Sequence, residues 1–463
     1  MTHWNDHDGT VHPATAMDFL PHDRLRALQL QRLRATAERA YSRVELNRSR
    51  MDALGVKPAD LDSVDDVRLL PFTAKTDLRD TYPYGLFASP MCDVVRLHAS
   101  SGTTGKPIVV GYTQQDMETW KNVLVRTLAA AGMHRGDILQ NAFGYGLFTG
   151  GLGLHYGAEA LGATVIPISG GNTERQIMVM RDFGVTAFCC TPTYFVHIIE
   201  KAAATGVDIK ALPLRVGVFG AEPWSDEMRT YIEREAGIRA FDIFGLTEII
   251  GPGVGAECEC QDGIHIFEDH FLVEILDPDT GVPVSEGEEG ELVLTTLSKE
   301  AMPILRYRTH DITRLLPGAC ACGRSLARIA RISRRSDDML IIRGVNVFPS
   351  QIEVALLKVE RTLPHYQIIL RRERELDQME ILVEVTPEVF SDNVGEVQRL
   401  QTRLSAAVES TLGIRARIRL VEPQTLERST GKARRVQDLR NVNPPSPCKS
   451  ISSPSSLKTA GAV

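Results

Sequence analysis

"ATVIPISGGNTERQIMVMRDFGVTAFCCTPTYFVHIIEKAAATG", residues 163–206, switches hydrophobic period along its length. "ATVIPIS" and "TAFCC" are short apolar, β-branched runs and read as buried strands. "NTERQIMVMRDFG" and "TPTYFVHIIEKAAATG" carry apolar residues at helical spacing. The second is punctuated by Thr191 as N-cap, Pro192 in the first turn and Gly206 as terminator. Strand, helix, strand, helix predicts parallel strands, because each helix returns the chain across a face of the sheet.

The alternation continues on both sides. "DILQNAF" before it reads as a strand and "GGLGLHYGAEALG" as a helix; "RVGVFG", a helix over 224–236 and "RAFDIFG" follow it. Residues 24–49 predict one amphipathic helix, and residues 265–315 mostly strands, with a "DPDTG" turn at 277–281. "SRRSDD" (333–338) is a candidate hinge. Beyond it lie a strand ("MLIIRGVNVF"), a helix from Pro349, strands "HYQIILRR" and "MEILVEVTP", a helix over 394–411, and "RARIRLVEP". The expected fold is α/β. A large N-terminal domain (1–335) has parallel sheets covered by helices and a β-rich subdomain, and a small mobile α+β domain (336–440) follows. The Ser- and Pro-rich residues 441–463 read as a disordered tail.

With 463 residues, 43% hydrophobic and 24% charged, the chain has the balance of a soluble globular protein. A net charge of -7 excludes a nucleic-acid-wrapping surface. No apolar run approaches membrane-spanning length, and the first thirty residues carry Asp, His and Arg where a signal peptide needs an apolar centre. A cytoplasmic enzyme is the expectation. Eight cysteines are too few for a disulfide scaffold of this length, so metal or core roles come first. Cys258, Cys260 and His265 in one segment, and Cys320 and Cys322 in another, have the ligand chemistry of a tetrahedral zinc site.

"HASSGTTGKPIVVGYT" (98–113) has the glycines, hydroxyls and lysine of a phosphate-gripping loop. Ser100 replaces the first glycine of the common nucleotide-hydrolase loop, and Pro107 stands where that loop needs Ser or Thr. The residues after it are β-type, so this loop joins two strands and not a strand to a helix. "NAFGYGLFTGG" (141–151) joins aromatics to glycines, a composition suited to walling a flat ring, with Phe143, Tyr145 and Phe148 as candidates; a core role fits each equally well.

"SSGTTGKP", "FGAEPW", "FDIFGLTE", "RYRTHD", "RRSDDMLIIRGVNVFP" and "RSTGKARR" occur in that order. Together they resemble the adenylate-forming superfamily of acyl-CoA synthetases over roughly residues 15–440. "YGLFTGGLGLHYGAE", "GGNTERQ" and "SDDMLIIRGVNVFPSQIE" are similar to its branch acting on phenylacetate. The resemblance implies that ATP and a carboxylic acid give an acyl-adenylate and pyrophosphate, after which the thiol of coenzyme A expels AMP. Benzoate or aminobenzoate as the acid, or a carrier protein as the acceptor, stay open, as does a homodimer.

By the same resemblance, Ser101, Gly102, Thr103, Thr104, Gly105 and Lys106 cover the β- and γ-phosphates. Gly220, Ala221 and Glu222 lie along the adenine, with Ala221 near the acid pocket, and Phe244 stacks on the base beside Gly245 and Thr247. Glu248 holds Mg²⁺, a hard carboxylate for a hard ion. Asp311 accepts the ribose hydroxyls, with Arg335 close by. Asp337 is the hinge, preceded by Arg334 where the family usually has Gly, and Lys432 is the lysine of adenylation. The resemblance also selects Cys258, His265, Cys320 and Cys322 as ligands of a structural Zn²⁺, leaving Cys260 spare or a substitute.

Overall fold

A computed structural model describes residues 12–100, 107–332, 334–335, 338–343, 345–373, 376–390, 394–429 and 433–440. The sequence readings for residues 101–106, Asp337, Lys432 and the 441–463 tail lie outside the described residues.

The alternating segment builds the centre of the molecule. Strands Thr164–Ile166, Ile138–Asn141, Ala187–Cys190, Val216–Gly220 and Arg239–Leu246 lie side by side in that order, all parallel. The sheet then continues antiparallel through Gly251–Glu257, Ile264–Ile266, Arg328–Ile329 and Leu315–Leu316. Up to Leu246 each connection contains a helix long enough to cross the sheet. Past it the first connection is a short turn, which permits only antiparallel pairing.

Both faces of this sheet are covered, and the strands record it residue by residue. Phe188 and Cys190 point into one apolar cluster, with Phe195, Ile198 and Phe219. Cys189 and Val218, one position out of phase, point into the other, with Trp120, Leu124 and Leu154. Helices Thr173–Asp182, Pro192–Ala204 and Asp226–Ala236 supply the first cluster; Gln114–Ala130 and Thr149–Leu161 supply the second.

The stretch over 24–49 is not one helix. His22–Arg43 and Glu45–Leu54 are separated at Val44, whose backbone is extended (φ -115°). Val44 is buried in the main cluster while Met51 of the second helix is buried in a separate one, so the break serves two cores. Val94–Ala99 and Val109–Thr113 form an antiparallel hairpin, so the segment between them joins two strands, as read from Pro107. Phe271–Leu276, Gly290–Thr296, Tyr307–Thr313 and Arg334–Arg335 form a second, antiparallel sheet.

After residue 338 the chain has its own core of Ile342, Ile352, Leu356, Ile368, Ile381, Leu404 and Val408. It packs helices Pro349–Leu357 and Val394–Leu412 on a sheet ordered Arg417–Val421, Leu376–Val385, Thr362–Glu373, Val436–Asp438. "MLIIRGVNVF", expected as one strand, is a hairpin of Leu340–Ile342 and Val345–Val347, with Arg343 in the turn at φ 51°. Among the described residues no helix is long and apolar enough to cross a membrane.

Candidate active site

Gly220, Ala221, Phe244, Gly245, Thr247 and Glu248 lie at or just past the C-terminal ends of two adjacent central parallel strands, where an open α/β sheet leaves its crevice. Gly220 ends one strand and Gly245 is near the end of the next. Each is glycine for want of room. A Cβ on Gly220 would lie 2.6 Å from the Ile243 carbonyl oxygen, and one on Gly245 would collide with the Gly251 carbonyl and lie 2.7 Å from Pro252 Cα. Ala221 follows in the left-handed region, φ 68°. Phe244 and Thr247 are buried, and Thr247 Oγ1 lies 3.4 Å from Thr149 Oγ1.

Glu248 is buried in the turn after Leu246, and burial and its carboxylate together push the Tyr307 phenol up. Side chains from three other segments fasten the backbone behind it. Lys299 Nζ donates to the Ile249 carbonyl at 2.9 Å, Tyr112 Oη to that of Ile250 at 3.0 Å, and Trp120 Nε1 to that of Pro252 at 2.9 Å. Tyr112 and Trp120 stack at 5.1 Å, and Lys299 Nζ lies 4.6 Å from the centre of the Tyr112 ring. Burial pushes the Lys299 ammonium down to about 8 against the opposing pull of Asp116 and Glu248. None of these three was picked out by sequence reasoning. Their partners are main-chain carbonyls far away in the chain, which no local pattern encodes.

Asp311 lies in strand Tyr307–Thr313, cross-strand from Arg335. Arg335 Nη1 donates to Asp311 Oδ1 at 2.7 Å and Nη2 to the Thr309 carbonyl at 3.2 Å. Arg334, next to the candidate hinge, pairs with Glu289 at 2.8 Å and lies 5.3 Å from the ring centre of Phe348, so it touches both sides of that hinge.

Phe143, Tyr145 and Phe148 are not equivalent. Phe143 is packed in the main core, whereas Tyr145 and Phe148 are half-buried. Tyr145 Oη accepts from Asn141 Nδ2 at 2.8 Å and is 3.2 Å from His155 Nδ1; burial pushes the phenol up.

Glu222, in the segment expected to lie along the adenine, has both carboxylate oxygens bound by protein donors. Its Oε1 accepts from the Thr193 N–H at 2.9 Å and from the Thr193 hydroxyl, and its Oε2 accepts from the Ala433 N–H at 2.9 Å. Burial raises its pKa against the opposing effect of Arg435 and those N–H groups. Ala433 is the covalent neighbour of Lys432, so a carboxylate of the large domain grips the chain beside the candidate lysine.

The cysteine–histidine cluster is at the antiparallel edge of the central sheet. Cys258 directly follows the strand Gly251–Glu257, His265 lies in the next, and Cys320 and Cys322 lie in the loop before Arg328–Ile329. Their ligand atoms all fall within 4.8 Å of one another. Cys258 Sγ and Cys320 Sγ are 3.7 Å apart, and Cys322 Sγ and His265 Nε2 3.5 Å. Those are edge lengths of a tetrahedron with ~2.3 Å metal–sulfur and ~2.0 Å metal–nitrogen bonds, and are far too long for a disulfide at ~2.05 Å. The donor set fits zinc. Cys260 is exposed and outside the cluster.

The AMP-binding enzyme family model matches residues 42–298, and the AMP-binding enzyme C-terminal domain model matches 344–440. The chain belongs to the AMP-binding enzyme family. It is 51% identical over 435 residues to a phenylacetate–coenzyme A ligase of Pseudomonas putida, covering 94% of this chain and 98% of that one. It is 52% identical over 424 residues to that of Escherichia coli, covering 91% and 96%. A crystal structure of 2-hydroxyisobutyryl-CoA ligase in the postadenylation state has a TM-score of 0.87 at 27% identity, covering 93% and 94% of the two chains. The same ligase in the thioesterification state, over 93% and 94%, scores 0.68.

Proposed function

We infer that the chain is an AMP-forming ligase that converts phenylacetate to its CoA thioester. The observation that carries this reading is identity of 50–52% with phenylacetate–CoA ligases along more than nine-tenths of the chain, both domains included. In the first half-reaction a phenylacetate oxygen attacks the α-phosphorus of ATP, and the bond to the β-phosphate oxygen breaks, so pyrophosphate leaves. In the second, the CoA sulfur attacks the acyl carbon, AMP leaves with the bonding pair, and the thiol proton passes to solvent.

Both steps concentrate negative charge on oxygen, so positioned donors and cations do most of the work. The segment Ser101, Gly102, Thr103, Thr104, Gly105 and Lys106 grips the outgoing pyrophosphate. Asp311, buried and fixed by Arg335, receives the ribose hydroxyls. The backbone at Gly220 and Ala221 and the ring of Phe244 take the adenine. Glu248 would hold Mg²⁺, which when bound screens the phosphate charge; the fastened carbonyls behind it keep that carboxylate in one place. Lys432 bridges acid and α-phosphate. Tyr145 and Phe148 are our candidates for the aromatic wall of the acid pocket. The closer likeness to the postadenylation form of the hydroxyisobutyryl ligase supports reading this domain arrangement as the adenylating one, with Asp337 as the hinge.

Pyrophosphate exchange over a panel of acids tests the substrate. Phenylacetate should give the highest kcat/KM; preference for benzoate or aminobenzoate would overturn the assignment. Thioester should form on free CoA, and turnover only with a carrier protein would sink that half. Sedimentation tests the expected homodimer.

We also propose that Cys258, His265, Cys320 and Cys322 hold Zn²⁺. With four protein ligands no position is left for substrate, so the ion is structural. Metal analysis should find about one zinc per chain, lost in Cys322→Ser. A metal-free, fully stable protein would refute the site.

A further inference from the structure

Helix Pro192–Ala204 turns one face toward the small domain. Thr193, His197 and Glu200 are spaced to lie along one side of it. Thr193 donates to Glu222, the carboxylate that also takes the Ala433 N–H. Two turns along, Glu200 meets two groups of the small domain: Arg428 Nη2 donates to Oε2 at 3.0 Å, and His365 Nε2 lies 2.8 Å from Oε1 as a charge contact without hydrogen-bond alignment. The pair is enclosed, with side-chain exposure of 14% for Glu200, 12% for Arg428 and 6% for His365. Arg428 is itself anchored within the small domain by Glu384, at 2.7 and 2.6 Å, so it reaches Glu200 as a rigid fork.

We propose that Glu200 is a positioning residue for adenylation. Its carboxylate latches the small domain, through His365 and Arg428, in the arrangement that carries Lys432 to the acid and ATP. It touches no substrate. The inference rests on the ligase reading above for its two half-reactions. Arg428 lies four residues before Lys432 and Ala433 one after it, so Glu200 and Glu222 hold the lysine's segment at both ends. Rotation of the small domain must break both grips. Glu200 therefore stabilises one of the two states and contributes nothing to the other, and a carboxylate with both partners removed regains water, which keeps the latch reversible.

The isosteric Glu200→Gln keeps the volume and removes the charge. Pyrophosphate exchange with phenylacetate should fall at least tenfold, while CoA-dependent turnover of supplied phenylacetyl-adenylate stays within twofold of wild type. His365→Gln should lower exchange too, and combining the two should lower it by less than the product of the single effects. Lys201→Ala, which removes the neighbouring pair with Glu174, should leave both half-reactions unchanged. Small-angle scattering with ATP alone reads the domain arrangement without any acid, and Glu200→Gln should move the profile away from that calculated for the arrangement described above. Unchanged exchange and scattering in Glu200→Gln, or equal loss of both half-reactions, would overturn the latch. A wild type inactive on every aromatic acid, with scattering still shifted by Glu200→Gln, would instead overturn the substrate reading and leave the latch standing.

Discussion

Lys299 Nζ holds a main-chain carbonyl beside Glu248 and lies over the ring of Tyr112, on the strand leading out of the phosphate segment. It thus joins the candidate magnesium ligand to the hairpin that carries the candidate phosphate loop. Lys299→Met preserves most of the apolar stem and deletes the donor, leaving the Ile249 carbonyl buried without its partner. Such a deletion costs about 1–3 kcal/mol. We expect exchange to fall ~10-fold or more, with a raised requirement for Mg²⁺, while the melting temperature drops by only a few degrees. A Mg²⁺ titration of exchange rates checks it; an unchanged Mg²⁺ midpoint would assign Lys299 to folding alone. Gly245 belongs to the same scale. Gly245→Ala should yield little folded protein, because the clash is with backbone on an adjoining strand and no side chain can move aside.

Among the elements, the buried ion cluster beneath helix Gln114–Ala130 shows what joins the N-terminal segment to the sheets. Arg126 is fully buried and donates to Asp18 at 2.7 Å and to Asp269 at 2.9 Å; Arg324, two residues after Cys322, also reaches Asp18, at 3.1 Å. Arg126→Met removes the guanidinium that two buried carboxylates share, leaving Asp18 with Arg324 and Asp269 with His270 and Arg32, and should destabilise by about 3 kcal/mol. The pH dependence has a definite sign. Burial raises the pKa of Asp269, but His270 and Arg126 outweigh it and hold the carboxyl well below its ordinary 3.8; burial pushes His270 below its ordinary 6.5, so at neutral pH Arg126, with Arg32 at 3.6 Å, holds Asp269. In both groups the unfolded chain binds more protons than the folded one. Stability therefore falls as pH drops below about 6.5 through His270, and falls further below about 3.8 through Asp269. In Asp269→Asn the second loss disappears, so its deficit against wild type narrows below pH 4, which urea melts across pH would read. Nothing in the sequence pairs Asp18 with Arg126, whereas the strands and helices of 138–246 were legible because period and caps are local. The helix break at Val44 and the hairpin at Arg343 were missed for the converse reason: the apolar pattern runs on through both, and only tertiary packing bends the chain. The site divided likewise. The glycines, Glu248 and Asp311 were readable from motifs, while Lys299, Glu200 and the inward turn of Glu222 depend on contacts across the fold.

For the molecule as a whole, on the proposed reading, one chain serves two reactions by presenting different parts of its small domain to one bound nucleotide. Lys432 belongs to only one of them. In the adenylation step, on that reading, its ammonium would offset charge where the acid oxygen meets the α-phosphate. In the thioester step charge builds again on the phosphate oxygen as AMP leaves with the bonding pair, but in this reading the small domain has by then rotated and taken the lysine away from it. Lys432→Ala should consequently depress pyrophosphate exchange by ~10²–10³-fold, the range for removing one preorganised electrostatic partner of a transition state. The same variant, supplied with phenylacetyl-adenylate and CoA, should form thioester at close to the wild-type rate. Overall turnover then becomes limited by adenylation. Equal loss in both half-reactions would mean that the residue supports the small domain's structure, and intact exchange would place the adenylating cation elsewhere. The latch at Glu200 predicts the same split with a smaller loss, since a freed small domain still visits the adenylating arrangement part of the time whereas a missing ammonium is missing in every arrangement. The ordering of the two variants thereby separates the group that acts from the contact that brings it there.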